Sequence, residues 1–157
     1  MKTVAVLLLC FACASVAVLV LRAEKEKCES AEGIYLLLLH IRHGVCEERL
    51  PLPEIYASFE NAALEKNGFL PLLREKGLAH ALSLTPLPLP EARVRALTLY
   101  AGELGGRFAA EEALANQKEC EAMHLWLEEY RKDLPRRLKI KRTLSLCVGG
   151  MILLFLL

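Results

Sequence analysis

The chain has 157 residues, mean hydropathy +0.31 and a net charge of +1, which allows a single modest domain and argues against a chain-wide nucleic-acid surface. Its 54% content of hydrophobic residues is high for a chain of this length, and the excess lies at the two ends. This distribution favours a membrane protein with a compact middle.

The first predicted element is an apolar segment, residues 3–21, which carries no charge and is bounded by Lys2 and Arg22. As a helix rising about 1.5 Å per residue it matches the roughly 30 Å core of a bilayer. A cleaved signal peptide is the alternative, with Ala12-Cys13-Ala14 as the cleavage site, but the apolar run continues past that site. We therefore predict an uncleaved N-terminal transmembrane anchor over residues 1–22, with an exported, signal-cleaved helical protein as the rival.

Residues 23–142 are predicted to form a helical domain, because apolar residues recur there at spacings of three and four and β-branched residues are scarce. The fold class is all-α, a bundle of about five helices flanked by transmembrane helices. A second helix opens at Pro53 and ends at Asn67-Gly68, and residues 85–90 (TPLPLP) are extended. The predicted inward residues of the first four helices are Ile34, Leu37, Leu38, Ile41, Val45, Ile55, Phe59, Ala62, Ala63, Leu70, Leu73, Leu78, Ala81, Leu82, Val94, Leu97, Ala101 and Leu104, with Gly77 interrupting the third.

The fifth predicted helix follows the turn YAGELGG and leads into a basic block. Its inward stripe is Ala109, Ala113, Asn116, Cys120, Met123, Leu127, Tyr130, Leu134 and Leu138. Residues 131–142 hold seven Lys or Arg and one Asp, and residues 143–157 hold no charge. We predict a C-terminal transmembrane helix over residues 143–157, reached with the help of snorkelling basic side chains. The predicted membrane-flanking residues are Arg22, Arg136, Arg137, Lys139, Lys141 and Arg142.

The basic residues next to both apolar segments place the middle domain in the cytoplasm by the positive-inside rule. We interpret these basic residues as membrane-flanking groups attracted to anionic lipid. A nucleic-acid site is not predicted, because no aromatic residues are interleaved with them. The six cysteines have no zinc or redox spacing outside an apolar segment, so free thiols in a reducing compartment are expected.

The sequence offers little that predicts catalysis. His40, His43 and Cys46 suggest a metal site, but Cys46 would lie on another side of the helix from the two histidines. A membrane-anchored metal-dependent enzyme using His40, His43 and a third ligand is therefore kept only as an alternative. The adjacent glutamate pairs, which include Glu111-Glu112, are predicted to face solvent, and no nucleophile elbow or phosphate-binding loop is present. We predict no enzyme and no cofactor or metal.

Protein binding is the remaining prediction. Glu103, Leu104 and Gly105 lie in the turn, and Gln117 lies beside the apolar stripe, where polar groups need partners. These four residues are the candidate partner-binding surface.

The order of these parts resembles stage III sporulation protein AB of endospore-forming bacteria. The residues that carry the resemblance are Leu104-Gly105, Gln117 and the ending KRTLSLCVGGMILLFLL, with fainter similarity in IRHG and PLPEIYASF. The resemblance implies a mother-cell component of the channel across the two membranes around the forespore, with a helical fold similar to the platform proteins of type II secretion and type IV pilus machines. It implies a cytoplasmic ATPase, other channel subunits and membrane lipids as partners, and leaves homo-oligomerisation open.

Overall fold

The computed structural model describes residues 2–106 and 108–156, and over those residues every regular element is helical. The elements are α1 Lys2–Arg42, a π-helix His43–Glu48, α2 Leu52–Ser58, α3 Ala62–Lys66, α4 Phe69–Lys76, α5 Leu78–Leu84, α6 Glu91–Glu103 and α7 Ala109–Leu156. Three residues lie outside the described part of the chain: Met1, Arg107 and Leu157. Side chains are also not described at residues 2–14, 17, 109, 145–146, 148–150 and 152–156. Within the described residues the all-α prediction is confirmed.

The predicted single helix between Pro53 and Asn67 is wrong, because the structure divides it into α2 and α3. Phe59 is extended, with φ −78° and ψ 129°, and the Asn61 side chain accepts a hydrogen bond from Leu64 N at 3.1 Å. An Asn that caps a new helix in this way satisfies one of its free N–H groups. The new register exposes Ala62, which was predicted to face inward, and buries Leu64 completely.

Gly77 interrupts the third predicted helix as expected, and α4 and α5 result. Its φ of +80° suits glycine, and its N–H donates to Leu73 O at 3.0 Å to close α4. Residues 85–90 lie outside any helix, as expected from their X-Pro steps, and Thr85 is extended with φ −95° and ψ 128°.

The end of α1 widens into the π-helix His43–Glu48, which passes through Gly44. The π-helix stops at Arg49, whose φ of 55° is left-handed, and Leu50 N donates to Gly44 O at 2.9 Å. A Cβ at Gly44 would lie 2.6 Å from Ile55 Cδ1. The absence of a side chain at Gly44 therefore lets α2 approach closely.

Two compact units make up the chain, and α1 and α7 contribute to both. The unit Lys27–Glu128 has a continuous apolar core, with the predicted residues Ile34, Leu37, Leu38, Ile41, Ile55, Phe59, Leu70, Leu73, Leu78, Ala81, Leu82, Leu97, Cys120, Met123 and Leu127 all buried. At about 25 cal/mol per Å² of buried apolar surface, this core is the main source of the unit's stability.

The second unit combines residues up to Glu26 with residues from Glu129 onward. Its described contacts join α1 to α7 through Glu24, Tyr130 and Lys141. Among the residues that the structure describes, no helix contains a stretch long and apolar enough to cross a membrane. Much of the two predicted spans lies among side chains outside the description.

Candidate functional site

The α6–α7 turn places three of the four predicted partner-binding residues on or near the surface. Glu103 is the last residue of α6 and is exposed, Leu104 is half-buried, and Gly105 is exposed with a φ of +83°. Gly106 N donates to Glu103 O at 3.2 Å and tightens the turn. A Cβ at Gly105 would lie 3.3 Å from Leu52 Cδ1, so the turn rests closely on α2.

Gln117, the fourth predicted residue, is exposed on α7, where its Nε2 donates to Glu121 Oε1 at 2.8 Å. Two exposed leucines share this side of the helix: Leu114 is 70% exposed and Leu125 is 66% exposed. At about 100° per residue, these two leucines are separated by only about 20° around the helix axis. Neither leucine was predicted as part of the site, although apolar residues opposite a buried stripe are a recognisable signal of an interaction face.

The Glu111-Glu112 pair does not face solvent as predicted, because Glu112 is only 3% exposed. One oxygen, Oε2, accepts a hydrogen bond from Gly105 N at 3.4 Å, and Oε1 has no hydrogen-bond partner. The carboxylate thus ties the start of α7 to the turn. The missed signal is spacing, since Glu112 lies four residues before Asn116 and shares the buried stripe.

Asn116 joins three helices through its buried side chain. Its Nδ2 donates to Leu38 O at 3.3 Å and to Tyr100 Oη at 2.7 Å. Its Oδ1 accepts from Cys120 Sγ at 3.3 Å. Because the amide makes three hydrogen bonds in an apolar core, it fixes the register of α7 against α1 and α6.

Burial changes the acidity of the groups around Asn116. It raises the pKa of Tyr56 from 10.0 to about 12, with a smaller contribution from the Glu112 charge. It also raises the pKa of Tyr100, against the hydrogen bond from Asn116, and the pKa of the Cys120 thiol from 9.0 to about 11. These groups are neutral at physiological pH, so the cluster is suited to holding helices together and not to nucleophilic chemistry.

The structure does not bring the His40, His43 and Cys46 side chains together as a metal site. His40 Nε2 lies 3.2 Å from Ile55 O and 3.0 Å from Ser58 Oγ, whereas the two ring nitrogens of His43 face Glu47 and Glu48. No group of three or more His, Cys, Asp or Glu residues within the described part of the chain could hold a metal ion. The thiols of Cys28, Cys46, Cys120 and Cys147 are free, and the Cys10 and Cys13 side chains lie outside the description.

The predicted membrane-flanking residues differ in their contacts. Lys141 Nζ donates to Glu24 Oε1 at 2.6 Å, and Arg137 lies 3.7 Å from Asp133 Oδ2 and 5.3 Å from the centre of the Tyr130 ring. Glu24 is only 4% exposed and also accepts from Tyr130 Oη at 3.3 Å. The burial of Glu24 was not predicted, because it lies in a stretch of alternating acidic and basic residues.

One open cleft, of about 410 Å³, is lined by Glu60, Asn61, Ala62, Glu65 and Arg74. Arg74 donates to Phe59 O at 3.0 Å and lies 3.6 Å from Glu65. Since these contacts hold the loop between α2 and α3 against α4, the cleft is better explained by the fold than by a ligand.

No protein-family model, no curated protein and no solved structure matches this chain.

Proposed function

We propose that this protein is a non-enzymatic membrane adaptor whose helical domain docks a cytoplasmic ATPase and other subunits of a sporulation channel. The proposal combines a predicted anchor at each end, a helical domain between them, and an exposed surface on that domain. The observation that carries it is the Glu24–Lys141 ion pair at 2.6 Å, which joins α1 to α7 where the two apolar segments begin.

The ion pair supports a hairpin of two spans. Glu24 follows the uncharged residues 3–21, and Lys141 precedes the uncharged residues 143–157. A contact at this level lets both apolar segments enter the bilayer from the same side. The basic residues at this level favour the cytoplasm as that side, and the proposed position of the domain is therefore cytoplasmic. The resemblance to stage III sporulation protein AB is the reason for proposing the mother-cell membrane that faces the forespore.

The docking surface combines the turn with the outward side of α7. Glu103, Gly105 and Gln117 are exposed, and Leu114 and Leu125 add apolar area to the same helix. Interfaces of this kind place apolar anchors among polar groups, and the anchors contribute most of the binding energy. Leu104, Gly105 and Gln117 are also positions that resemble stage III sporulation protein AB, and this resemblance is the reason for naming an ATPase as the partner.

The docking part is tested by a pull-down with the ATPase of the sporulation channel from the same organism. The full chain in detergent carries Leu114→Gln and Leu125→Gln, and Leu99→Gln is the control because Leu99 is also 66% exposed. We expect retention of the ATPase to fall at least tenfold with the α7 pair and to stay within twofold with the control. Equal retention by all variants would contradict the assigned surface.

The membrane part is tested separately by fractionation and by sequencing the N-terminus of the mature chain. An anchored protein stays in the membrane pellet after alkaline carbonate washing and keeps residues 1–22. A mature chain that begins after Ala14 and leaves the cell would support the exported alternative and end the proposal.

A further inference from the structure

The six predicted membrane-flanking residues divide into two groups by their contacts. Lys141 and Arg137 are engaged with acidic or aromatic groups of the same unit. All six are exposed, but the other four form no ion pair with any described residue; they are Arg22, Arg136, Lys139 and Arg142. The basic block of residues 131–142 thus contains cations with different kinds of contact.

Lys141 and Arg137 have a structural role. A carboxylate as buried as Glu24 is unstable unless it is paired and hydrogen-bonded, and Lys141 and Tyr130 provide those contacts. Arg137 lies over Tyr130 and so supports one of the groups that hold Glu24. Lys141 therefore joins α7 to α1, and Arg137 contacts Asp133 and Tyr130 within α7.

The four cations that form no ion pair have the chemistry of an anion-binding surface. Residues 136–142 span only about 9 Å along a helix, and Arg presents a planar fork that suits phosphate oxygens while Lys presents a point charge. The segment that follows, residues 143–157, carries no charge, so these cations lie next to a predicted span. Phosphate groups next to hydrocarbon are found at the surface of a phospholipid bilayer.

We propose that Arg22, Arg136, Lys139 and Arg142 form a binding surface for the headgroups of anionic phospholipids. The inference rests on the proposed membrane anchoring and adds to it the lipid class and the residues that recognise it. Lys141 and Arg137 take no part in recognition. Each cation near an anionic lipid surface contributes about a fivefold gain in affinity.

The test compares two double variants that each remove two positive charges, one from the unpaired cations and one from the paired cations. The first should change lipid affinity and the second should change stability. The full chain is held in micelles of a neutral detergent and titrated with dioctanoyl phosphatidylglycerol, with dioctanoyl phosphatidylcholine as the neutral lipid. Arg136→Gln with Lys139→Gln should weaken phosphatidylglycerol binding about 25-fold without changing the thermal unfolding temperature. Arg137→Gln with Lys141→Gln should lower the unfolding temperature and leave the affinity within twofold.

Arg137→Gln alone keeps the Glu24–Lys141 contact and replaces the second pair if that pair fails to fold. Glycerol phosphate and a short single-stranded oligonucleotide are tested as competitors. The inference is overturned if both charge-matched pairs weaken lipid binding equally, if phosphatidylcholine binds as tightly, or if either competitor displaces the lipid at equal concentration. Loss from the carbonate-washed membrane pellet would instead contradict the anchoring, so the two failures are distinguishable.

Discussion

Asn116 Nδ2 lies 2.7 Å from Tyr100 Oη, and this hydrogen bond joins α7 to α6 inside the apolar core. Asn116→Ala removes it together with the contacts to Leu38 and Cys120, and leaves the buried tyrosine hydroxyl without this donor. We expect a loss of about 1–3 kcal/mol in the free energy of unfolding, measured by urea denaturation. Gln117→Ala, which truncates an exposed neighbour, should change stability by less than about 0.5 kcal/mol. Equal effects would contradict the assigned role.

Gly44 and Gly102 offer a matched pair for close packing. Gly44→Ala places a methyl group 2.6 Å from Ile55 Cδ1, so we expect a cost of about 1–3 kcal/mol in stability. Gly102→Ala meets no atom within 4 Å in α6 and should stabilise the domain by about 0.5–1 kcal/mol. Thermal unfolding distinguishes the two. Gly44→Ala should cost less stability in an Ile55→Ala background than in the parent chain, which would locate the clash at Ile55; an equal cost in both backgrounds would place the cause elsewhere.

The Glu24–Lys141 ion pair should contribute more to stability than an ion pair between two exposed side chains. Lys141→Met removes the ammonium group that donates to the buried carboxylate at 2.6 Å and keeps the hydrogen bond from Tyr130, and we expect destabilisation of about 1–3 kcal/mol. Lys132→Met serves as the control because it removes an exposed charge from the same helix. Adding Glu24→Leu to Lys141→Met should recover part of the loss, since the uncompensated charge is then gone. A double variant less stable than Lys141→Met would contradict this explanation. Thermal unfolding in detergent measures all three.

Alkaline pH should destabilise the domain through its buried acids. Below pH 9 both the folded and unfolded chains hold the Cys120 proton, so its contribution to stability is fully present. As pH rises from 9.0 toward about 11, the unfolded chain releases the proton first, and the free energy of unfolding falls by about 1.4 kcal/mol per pH unit for each proton that only the folded state retains.

The Tyr56 hydroxyl should lower the free energy of unfolding in the same way as pH rises from 10.0 to about 12. Cys120→Ala should therefore flatten the stability curve from pH 9 to 11, and Tyr56→Phe should flatten it from pH 10 to 12. Urea unfolding at successive pH values provides the measurement. Curves for both variants that run parallel to the parent curve would show that burial of these groups does not control alkaline stability.

The confirmed predictions rest on local periodicity and backbone chemistry. The stripe through Asn116, Cys120, Met123 and Leu127 is buried because its spacing places those residues on one side of a helix, whatever lies opposite. The extended residues 85–90 follow from proline sterics. The division at Asn61 was missed because an Asn has similar propensities in a loop and at a cap, and only the bond to Leu64 distinguishes them.

The candidate surface was predicted only in part. Glu103, Gly105 and Gln117 are exposed, but the adjacent leucines at 114 and 125 were overlooked, and their role in docking remains a prediction. The prediction that Glu111 and Glu112 both face solvent is wrong for Glu112, which is 3% exposed. The two residues lie about 100° apart around the helix axis, so one can enter the core while the other faces water.

The sequence by itself determined the helical class, the periodic core stripe, the uncharged ends and the basic block between residues 131 and 142. Those features depend on residue spacing and composition, which the chain carries without reference to its neighbours in space. The burial of Glu24 and its contact with Lys141 are visible only in the folded chain. Glu24 is paired with a lysine 117 residues further along the chain, and neighbouring residues do not encode such desolvation and pairing of a charge. Glu112, in contrast, lies on the buried stripe through Asn116, so residue spacing carries the signal for its burial.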